Sequence, residues 1–213
     1  MTDRLTEIFS LIPKCESFAD IGCDHGYVSY AMLKAKKAKK VIFSDVSAKC
    51  LKKAQDLLEP FCKSGKAEGI VSDGFSKLPK VEVALIAGMG GEEIVSIIKN
   101  APHLPSTFIL QPMKNSEKVR AILVKSGYKI EKDYTFYSDK KYYDLILARE
   151  GEDSLTEDEL YFGKTNLIEK PQAFIEKWQG KKEEIKRYLS EKTLGEKSKN
   201  ELLLELERIE KIC

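Results

Sequence analysis

Apolar residues along this chain fall into two kinds of pattern. Near the N-terminus Leu5, Ile8, Phe9, Leu11 and Ile12 recur at helical spacing, and Pro13 closes that element. Further on, short, largely apolar blocks take over: Phe18-Ala19, Val41-Ile42-Phe43, Gly69-Ile70-Val71, Val81 to Ala87 (interrupted by Glu82) and Thr107 to Leu110. Blocks of this length without a polar face predict strands covered on both sides. Amphipathic stripes lie between them. Val28, Ala31, Met32 and Ala35 form one; Ala48, Leu51, Ala54, Leu57, Leu58 and Phe61, behind Ser47 as N-cap, form another; Val119, Ile122 and Leu123, ended by Gly127, form a third. Strand alternating with helix predicts an α/β domain with a mostly parallel sheet. Between the third and fourth strands the Phe75–Pro79 link has room only for a loop or a single turn. Tyr128 to Tyr137 and Tyr142 to Ala148 predict two last strands joined at Ser138-Asp139-Lys140-Lys141.

Beyond Glu152 the pattern changes, which predicts a domain over 1–151 and a helical appendage over 152–213. Glu157–Gly163 predicts one short helix. Pro171 then opens a longer one with Phe174, Trp178, Ile185 and Leu189 on its seam, and after a break at Thr193-Leu194-Gly195 a second seam carries Leu202, Leu206, Ile209 and Cys213. Two narrow apolar seams flanked by Glu and Lys predict an antiparallel, coiled-coil-like α-helical hairpin. Its helices are expected to expose Lys177, Lys181, Lys182, Lys186 and Arg187 beside Tyr188. The hairpin either grips RNA, dimerises or packs on the domain, and the expected state is a monomer or a weak dimer through these helices.

Composition narrows the function classes. The longest apolar runs are strand-sized, so no membrane-spanning helix is expected, and Met1-Thr2-Asp3-Arg4 lacks the layout of a signal peptide. Five cysteines (Cys15, Cys23, Cys50, Cys62, Cys213) show no C-x-x-C spacing and read as reduced thiols of a cytoplasmic protein, with no metal site expected. The formal charge of +2 is uneven: residues 151–213 hold 12 basic and 15 acidic residues, or −3, and the remainder holds 24 and 19, or +5. That excess is compatible with an anionic partner without establishing one. The lysine run Lys34, Lys36, Lys37, Lys39, Lys40 reads as the solvated end of the second helix, because cations are favoured at helix C-termini.

Candidate chemistry centres on Ala19-Asp20-Ile21-Gly22-Cys23-Asp24-His25-Gly26-Tyr27, a strand, a glycine turn and a helix start. Gly22 and Gly26 allow close backbone approach, and the next helix turns its N-terminal N–H groups towards the turn. Dinucleotide sites use a related turn, but Asp20 puts a carboxylate where a pyrophosphate would sit. An acid there suits a ligand with a cationic amino group, such as the methionine end of S-adenosylmethionine. Asp45 ends the second strand about 25 residues on, where nucleoside-binding folds place the acceptor for ribose hydroxyls. Asp73-Gly74 ends the third; alone it reads as a turn dipeptide, and only with the other two acids as part of a ligand edge.

The glycine turn resembles the first motif of class I methyltransferases. Asp-Ile-Gly-x-Asp-His-x-Tyr, with Arg4-Leu5 upstream and Ala87-Gly88-Met89-Gly90-Gly91 downstream, resembles more closely the bacterial tRNA (adenine-N1)-methyltransferases acting at tRNA position 22. Asp24 stands where many of the wider class have a second glycine. The resemblance covers the whole chain and implies a Rossmann-like class I methyltransferase sheet closed by an antiparallel hairpin. It also implies S-adenosyl-L-methionine as cofactor and tRNA as partner. Cofactor contacts are then expected from Asp20, Gly22, Cys23 and Gly26 at the turn, from Asp45, Val46, Asp73 and Gly74 at the next two strand ends, and from Ala87 and Gly88. The class places an adenine-amino contact at Asp73. Asp24, His25 and Tyr27 are expected to line the methyl-donor end; His25 either orients the base, manages a proton at N6, or is a packing group. Substrate contacts are expected from Arg4, Met89, Gly90 and Gly91, from Gln111, Pro112 and Lys114 after strand five, and from Lys140 and Lys141 in the hairpin turn. The glycines after strand four replace the Asp/Asn-Pro-Pro-Tyr of amino-directed enzymes. That suits a ring nitrogen whose lone pair needs no deprotonation; the bland alternative is a glycine-rich helix entry. Competing readings are methylation of another RNA or a small molecule, and a non-catalytic nucleoside-binding scaffold.

Overall fold

A computed structural model describes residues 1–191 and 195–212. The elements, in chain order, are α1 (Asp3–Leu11), β1 (Cys15–Ile21), α2 (Tyr27–Lys34), β2 (Ala38–Asp45), α3 (Ala48–Lys63), β3 (Ala67–Val71), β4 (Val83–Met89), α4 (Gly91–Lys99), β5 (Thr107–Pro112), α5 (Ser116–Lys125), β6 (Tyr128–Ser138), β7 (Lys141–Glu150), α6 (Glu157–Phe162), α7 (Lys164–Glu169), α8 (Gln172–Glu191) and α9 (Glu196–Glu210). The strands form one sheet in the order β3-β2-β1-β4-β5-β7-β6. β1 to β5 are parallel, and β7 and β6 close the sheet antiparallel. The chain winds outward from β1 to β3 and then returns to place β4 on the other side of β1. This switch point opens a crevice at the carboxyl ends of β1 and β4.

Period-two alternation explains why the central strands read as continuous apolar blocks. In β4, Ala84 and Ile86 face a layer that includes Ile94, Ile97, Val119 and Leu123 from α4 and α5. Val83 and Leu85 face a second layer with Ile8, Val28, Met32, Leu51 and Leu58 from α1, α2 and α3. Both faces are covered, so neither tolerates a polar side chain without a partner. Between β3 and β4 there are only turns, as the Phe75–Pro79 spacing predicts, and Phe75 and Leu78 of this link are buried in the first layer.

Lys34, Lys36, Lys39 and Lys40 are solvated as expected, but the run does not all belong to the second helix. α2 ends at Lys34, and Lys39 and Lys40 already belong to β2. Lys37 donates to the carbonyls of Phe9 (2.9 Å) and Ile12 (2.7 Å), closing the end of α1, while Lys39 pairs with Glu16 and Lys40 with Glu68.

The helical appendage has its own small core of Phe162, Phe174, Trp178, Ile185 and Ile209, flanked by Leu189, Leu202 and Leu206. Apart from Phe162 of α6, these are residues of the two expected seams; Thr193, Leu194 and Cys213 lie outside the described residues. α7 has no counterpart in the sequence reading. The appendage docks on the sheet through buried polar groups. Arg120 of α5 and Asp133 of β6 form a fully buried pair at 2.7 Å, and Arg120 also donates to the carbonyls of Leu160 and Tyr161. Asp133 accepts from the Thr165 N–H, and Asn166 accepts from that of Thr135. Lys177 is corrected too. It turns inward to Asp144 of β7 at 2.9 Å instead of joining an exposed basic face. Burial would raise the Asp144 carboxyl, but Lys177, Arg120 and the Thr135 hydroxyl outweigh it and hold it well below the usual carboxylate range.

Candidate active site

The crevice at the switch point is a cleft of ≈ 570 Å³. Its floor is the β1–α2 turn, with Asp20, Gly22, Cys23, Asp24, His25, Tyr27 and Val28. One side is Asp45 at the end of β2, and the other is Ala87, Gly88 and Met89 at the end of β4. Thr2, Arg4 and Leu5 reach over from the N-terminus, and Asp139 reaches in from the β6–β7 turn.

Asp20 is buried, and its Oδ2 accepts a hydrogen bond from the hydroxyl of Ser29 at 2.8 Å. Burial pushes its carboxyl up to about 6; the Ser29 bonds oppose that shift and the neighbouring Asp45 adds to it. Asp45 accepts from the Ser47 N–H on Oδ1 (2.8 Å) and from the Asp24 N–H on Oδ2 (3.4 Å). Each oxygen retains a lone pair that can meet a hydroxyl in the cleft. Burial, with Asp20 and Asp45 beside it, pushes the Cys23 thiol up, so Cys23 is a protonated wall residue and not a nucleophile.

Backbone geometry brings these groups together. Gly22 has φ +71° and its N–H donates to the Ser44 carbonyl at 2.8 Å; a Cβ here would run into the Met89 side chain. Gly88 has φ +81°, and only the Arg4 guanidinium, at 3.8 Å, lies within 4 Å of where a Cβ would stand. The side chain missing at Gly88 therefore leaves open space and bare backbone on the cleft wall. Asp24 also holds a positive φ, 45°, which lifts its carboxylate out of the turn towards solvent. His25 and Tyr27 stack with ring centroids 5.5 Å apart and planes 13° apart, and Asp24 Oδ2 lies 3.7 Å from His25 Nε2. Tyr27 is 49% exposed, so this stack presents an aromatic face at the cleft mouth.

Two carboxylates at a glycine turn repel a pyrophosphate and suit a ligand offering an ammonium and hydroxyls. The donor set, together with the space at Gly88, fits an amino-acid-bearing nucleoside.

A family model described as a methyltransferase domain matches residues 1–146. The chain belongs to this methyltransferase family. A provisionally assigned tRNA methyltransferase of Mycoplasma pneumoniae is 31% identical over 173 residues, covering 76% of this chain and 79% of that protein. The tRNA (adenine(22)-N(1))-methyltransferase of Bacillus subtilis is 29% identical over 193 residues, covering 84% and 79%. Among solved structures, M. capricolum TrmK in complex with S-adenosyl-homocysteine superposes with a TM-score of 0.90 at 25% identity, covering 99% of this chain and 96% of that one.

Other expected site residues of the methyltransferase lie at varying distances from the cleft. Gly26 starts α2, and a Cβ on it would meet Ala54 of α3 at 2.9 Å, so it serves helix packing. Val46 is exposed on the rim beside Asp45. Asp73 and Gly74 do not line the cleft: Asp73 is exposed beyond β3, and Gly74 packs against Ile97, 2.8 Å from where its Cβ would be. Gln111 is buried behind the wall and accepts from Arg4 Nη1 at 2.6 Å, fixing the guanidinium, which also lies 5.7 Å from the Tyr143 ring. Gly90 and Gly91 lead into α4, where the Gly91 N–H donates to the Lys114 carbonyl (2.9 Å); Pro112 and Lys114 border a separate pocket. Lys140 and Lys141 are exposed at the hairpin turn, where positive φ at Asp139 (50°) and Lys140 (62°) defines a type I′ geometry. Ser29, Thr2 and Asp139 were missed. Ser29 carried a faint signal, as a serine on an otherwise apolar helix face nine residues after Asp20. Among the described residues, no group of three or more His, Cys, Asp and Glu is placed to hold a metal.

Proposed function

We propose that this methyltransferase transfers a methyl group from S-adenosylmethionine to N1 of the adenine at position 22 of tRNA. The observation that carries the reading is the buried, Ser29-held Asp20 carboxylate on the same cleft as Asp45 and the exposed His25–Tyr27 stack. It supports an ammonium-bearing nucleoside donor beside a flat acceptor. The B. subtilis relative, named for this position and this nitrogen, supports the choice of acceptor.

Asp20 would hold the ammonium of the donor, and Asp45 would accept from its ribose hydroxyls. Gly88 and Ala87 would form the wall beside it. When bound, S-adenosylmethionine supplies a methyl group made electrophilic by its sulfonium sulfur. Adenine N1 already carries a lone pair, so the chain needs no base to create the nucleophile. Its task is positioning, which contributes roughly 7–11 kcal/mol in well-oriented cases. His25 and Tyr27 offer the face on which the target base rests. The product adenine is cationic, and the carboxylates of Asp24 and Asp139 at the cleft favour that charge. Arg4, held by Gln111 and Tyr143, fixes the opposite wall. Exocyclic amine methylation is less well served, since Gly88-Met89-Gly90-Gly91 offers no side-chain acceptor for an amino group.

The test is incubation with isotope-labelled S-adenosylmethionine and unmodified tRNA, then digestion and nucleoside mass analysis. Label in 1-methyladenosine supports the reading. Label confined to N6-methyladenosine, or no label in RNA, defeats it.

A further inference from the structure

Beside the donor cleft, between the β5–α5 connection and α8, lies a second pocket of ≈ 330 Å³. Lys114, Ser116, Tyr142, Asp144, Lys177 and Trp178 are on its walls. We propose that it receives a second nucleotide of the RNA substrate, a neighbour of the target base, with the Tyr142 ring as its stacking wall. This inference rests on the function proposed above and adds the route by which the RNA lies on the protein.

Two structural links join the pocket to the cleft. The Met113 N–H donates to the Met89 carbonyl at 2.8 Å, so the strand ends bordering the two hollows are directly bonded. The Lys114 stem passes 3.5 Å from the position of a Cβ on Gly90. On the opposite side the β6–β7 turn spans both, with Asp139 in the cleft and Tyr142, three residues on, in the pocket. The ledge between them is apolar and open. Tyr137 is 55% exposed, Tyr142 36% and Met113 46%, and the two tyrosine rings lie 5.0 Å apart.

Ion pairing distinguishes the ledge lysines from Lys181, Lys182 and Lys186 of α8, where Arg187 lies over the Tyr188 ring at 5.8 Å. Lys114, Lys140 and Lys141 take part in no ion pair among the described residues. On α8, Lys181 pairs with Glu184, Lys182 with Glu210, and Lys186 with Glu183 and Glu210. The acids near the ledge are Asp139, Glu117, Glu176, Asp144 and Glu92, the last paired with Lys118 and close enough to Lys114 to feel its charge. Glu176 accepts from the Tyr142 hydroxyl at 3.2 Å, while Asp144 is occupied by Lys177, Ser116 and Thr135. Unpaired ammonium groups beside exposed aromatic rings match single-stranded nucleic acid, in which backbone and base faces are both available. A base that enters the cleft must leave its stack, and its neighbour then loses a partner that Tyr142 replaces.

The test uses the full chain, an unmodified tRNA transcript and four variants: Tyr142→Ala, Tyr142→Phe, Lys114→Ala, and the double Lys181→Ala/Lys186→Ala. The Kd for tRNA is measured across salt, the Kd for S-adenosylhomocysteine by calorimetry, and the fold by circular dichroism. Tyr142→Ala is expected to weaken tRNA about 10-fold with cofactor affinity and fold retained, and Tyr142→Phe to keep tRNA affinity. Lys114→Ala should reduce the salt slope by about one. The α8 double variant should weaken tRNA less than Tyr142→Ala does. Unchanged tRNA affinity in Tyr142→Ala, alongside a wild-type enzyme that methylates tRNA, overturns this inference and leaves the proposed function standing. A wild-type protein that binds no tRNA overturns both.

Discussion

The hydroxyl of Ser29, on the buried face of α2, donates to Oδ2 of Asp20 at the end of β1 over 2.8 Å, at the foot of the cleft. The bond stabilises the ionised acid against the burial that pushes its carboxyl up to about 6. Donor binding requires that ion, so cofactor affinity should fall as pH drops below about 6. Ser29→Ala should move the fall to higher pH and weaken the cofactor roughly 10-fold near neutrality, the scale of a hydrogen bond to a charged group. Calorimetry with S-adenosylhomocysteine between pH 5 and pH 8 reads both effects. A pH profile unmoved by Ser29→Ala would contradict them.

Stability without ligand should depend on pH in the opposite sense. The folded Asp20 carboxyl titrates above its unfolded counterpart, so its contribution is fully present below about pH 4 and lost as pH rises through about 6. Asp20→Asn should therefore raise the ligand-free Tm at pH 7.5, by an energy on the order of 2–3 kcal/mol, and abolish the rise in Tm that cofactor causes. Thermal melts with and without S-adenosylhomocysteine check both halves.

Gly163 stands against the Arg120–Asp133 pair: a Cβ on it would lie 2.7 Å from Asp133 Oδ2 and 2.9 Å from Arg120 Nη2. Asp133→Ala strands the buried guanidinium and should cost about 3–5 kcal/mol. Gly163→Ala should destabilise through the same pair. Urea unfolding measures the loss, and cofactor affinity below the transition should stay near wild type, because the pair docks α6 and α7 and not the cleft.

At the cleft mouth, His25→Ala and Tyr27→Ala should lower kcat/KM for tRNA at least 10-fold while changing cofactor Kd by less than about threefold. Tyr27→Phe keeps the ring that stacks on His25 and should retain most activity. Steady-state kinetics paired with calorimetry distinguish this from a structural role, in which both parameters would move together.

The sheet and the glycine turn were legible because local rules govern them. Continuous apolar blocks mark doubly covered strands, and an acid at a strand end beside Gly22 marks ligand chemistry. What was illegible depended on distant partners. Ser29 resembles any small residue on a packed helix until Asp20 is placed beneath it. Lys177 has the pattern of a solvated seam flank, but the acid that claims it, Asp144, is 33 residues earlier on β7. α7 was missed because six residues carry too little periodicity, and its place is set by contacts to Asp133 and Thr135. Asp73 follows a β-type run as Asp45 does, yet β3 is the edge strand, one position further from the switch point.

Reverse transcription across treated tRNA transcripts reads out methyl transfer to N1 of adenine 22 from the Asp20-anchored cleft. A methyl on N1 blocks the Watson–Crick edge and arrests extension. Extension should arrest immediately 3′ of position 22 in a way that requires S-adenosylmethionine, disappears when position 22 is changed to another base, and is lost with Asp20→Ala. Full-length extension through position 22 despite measured methyl incorporation, or an arrest that persists in the position-22 variant, would contradict it.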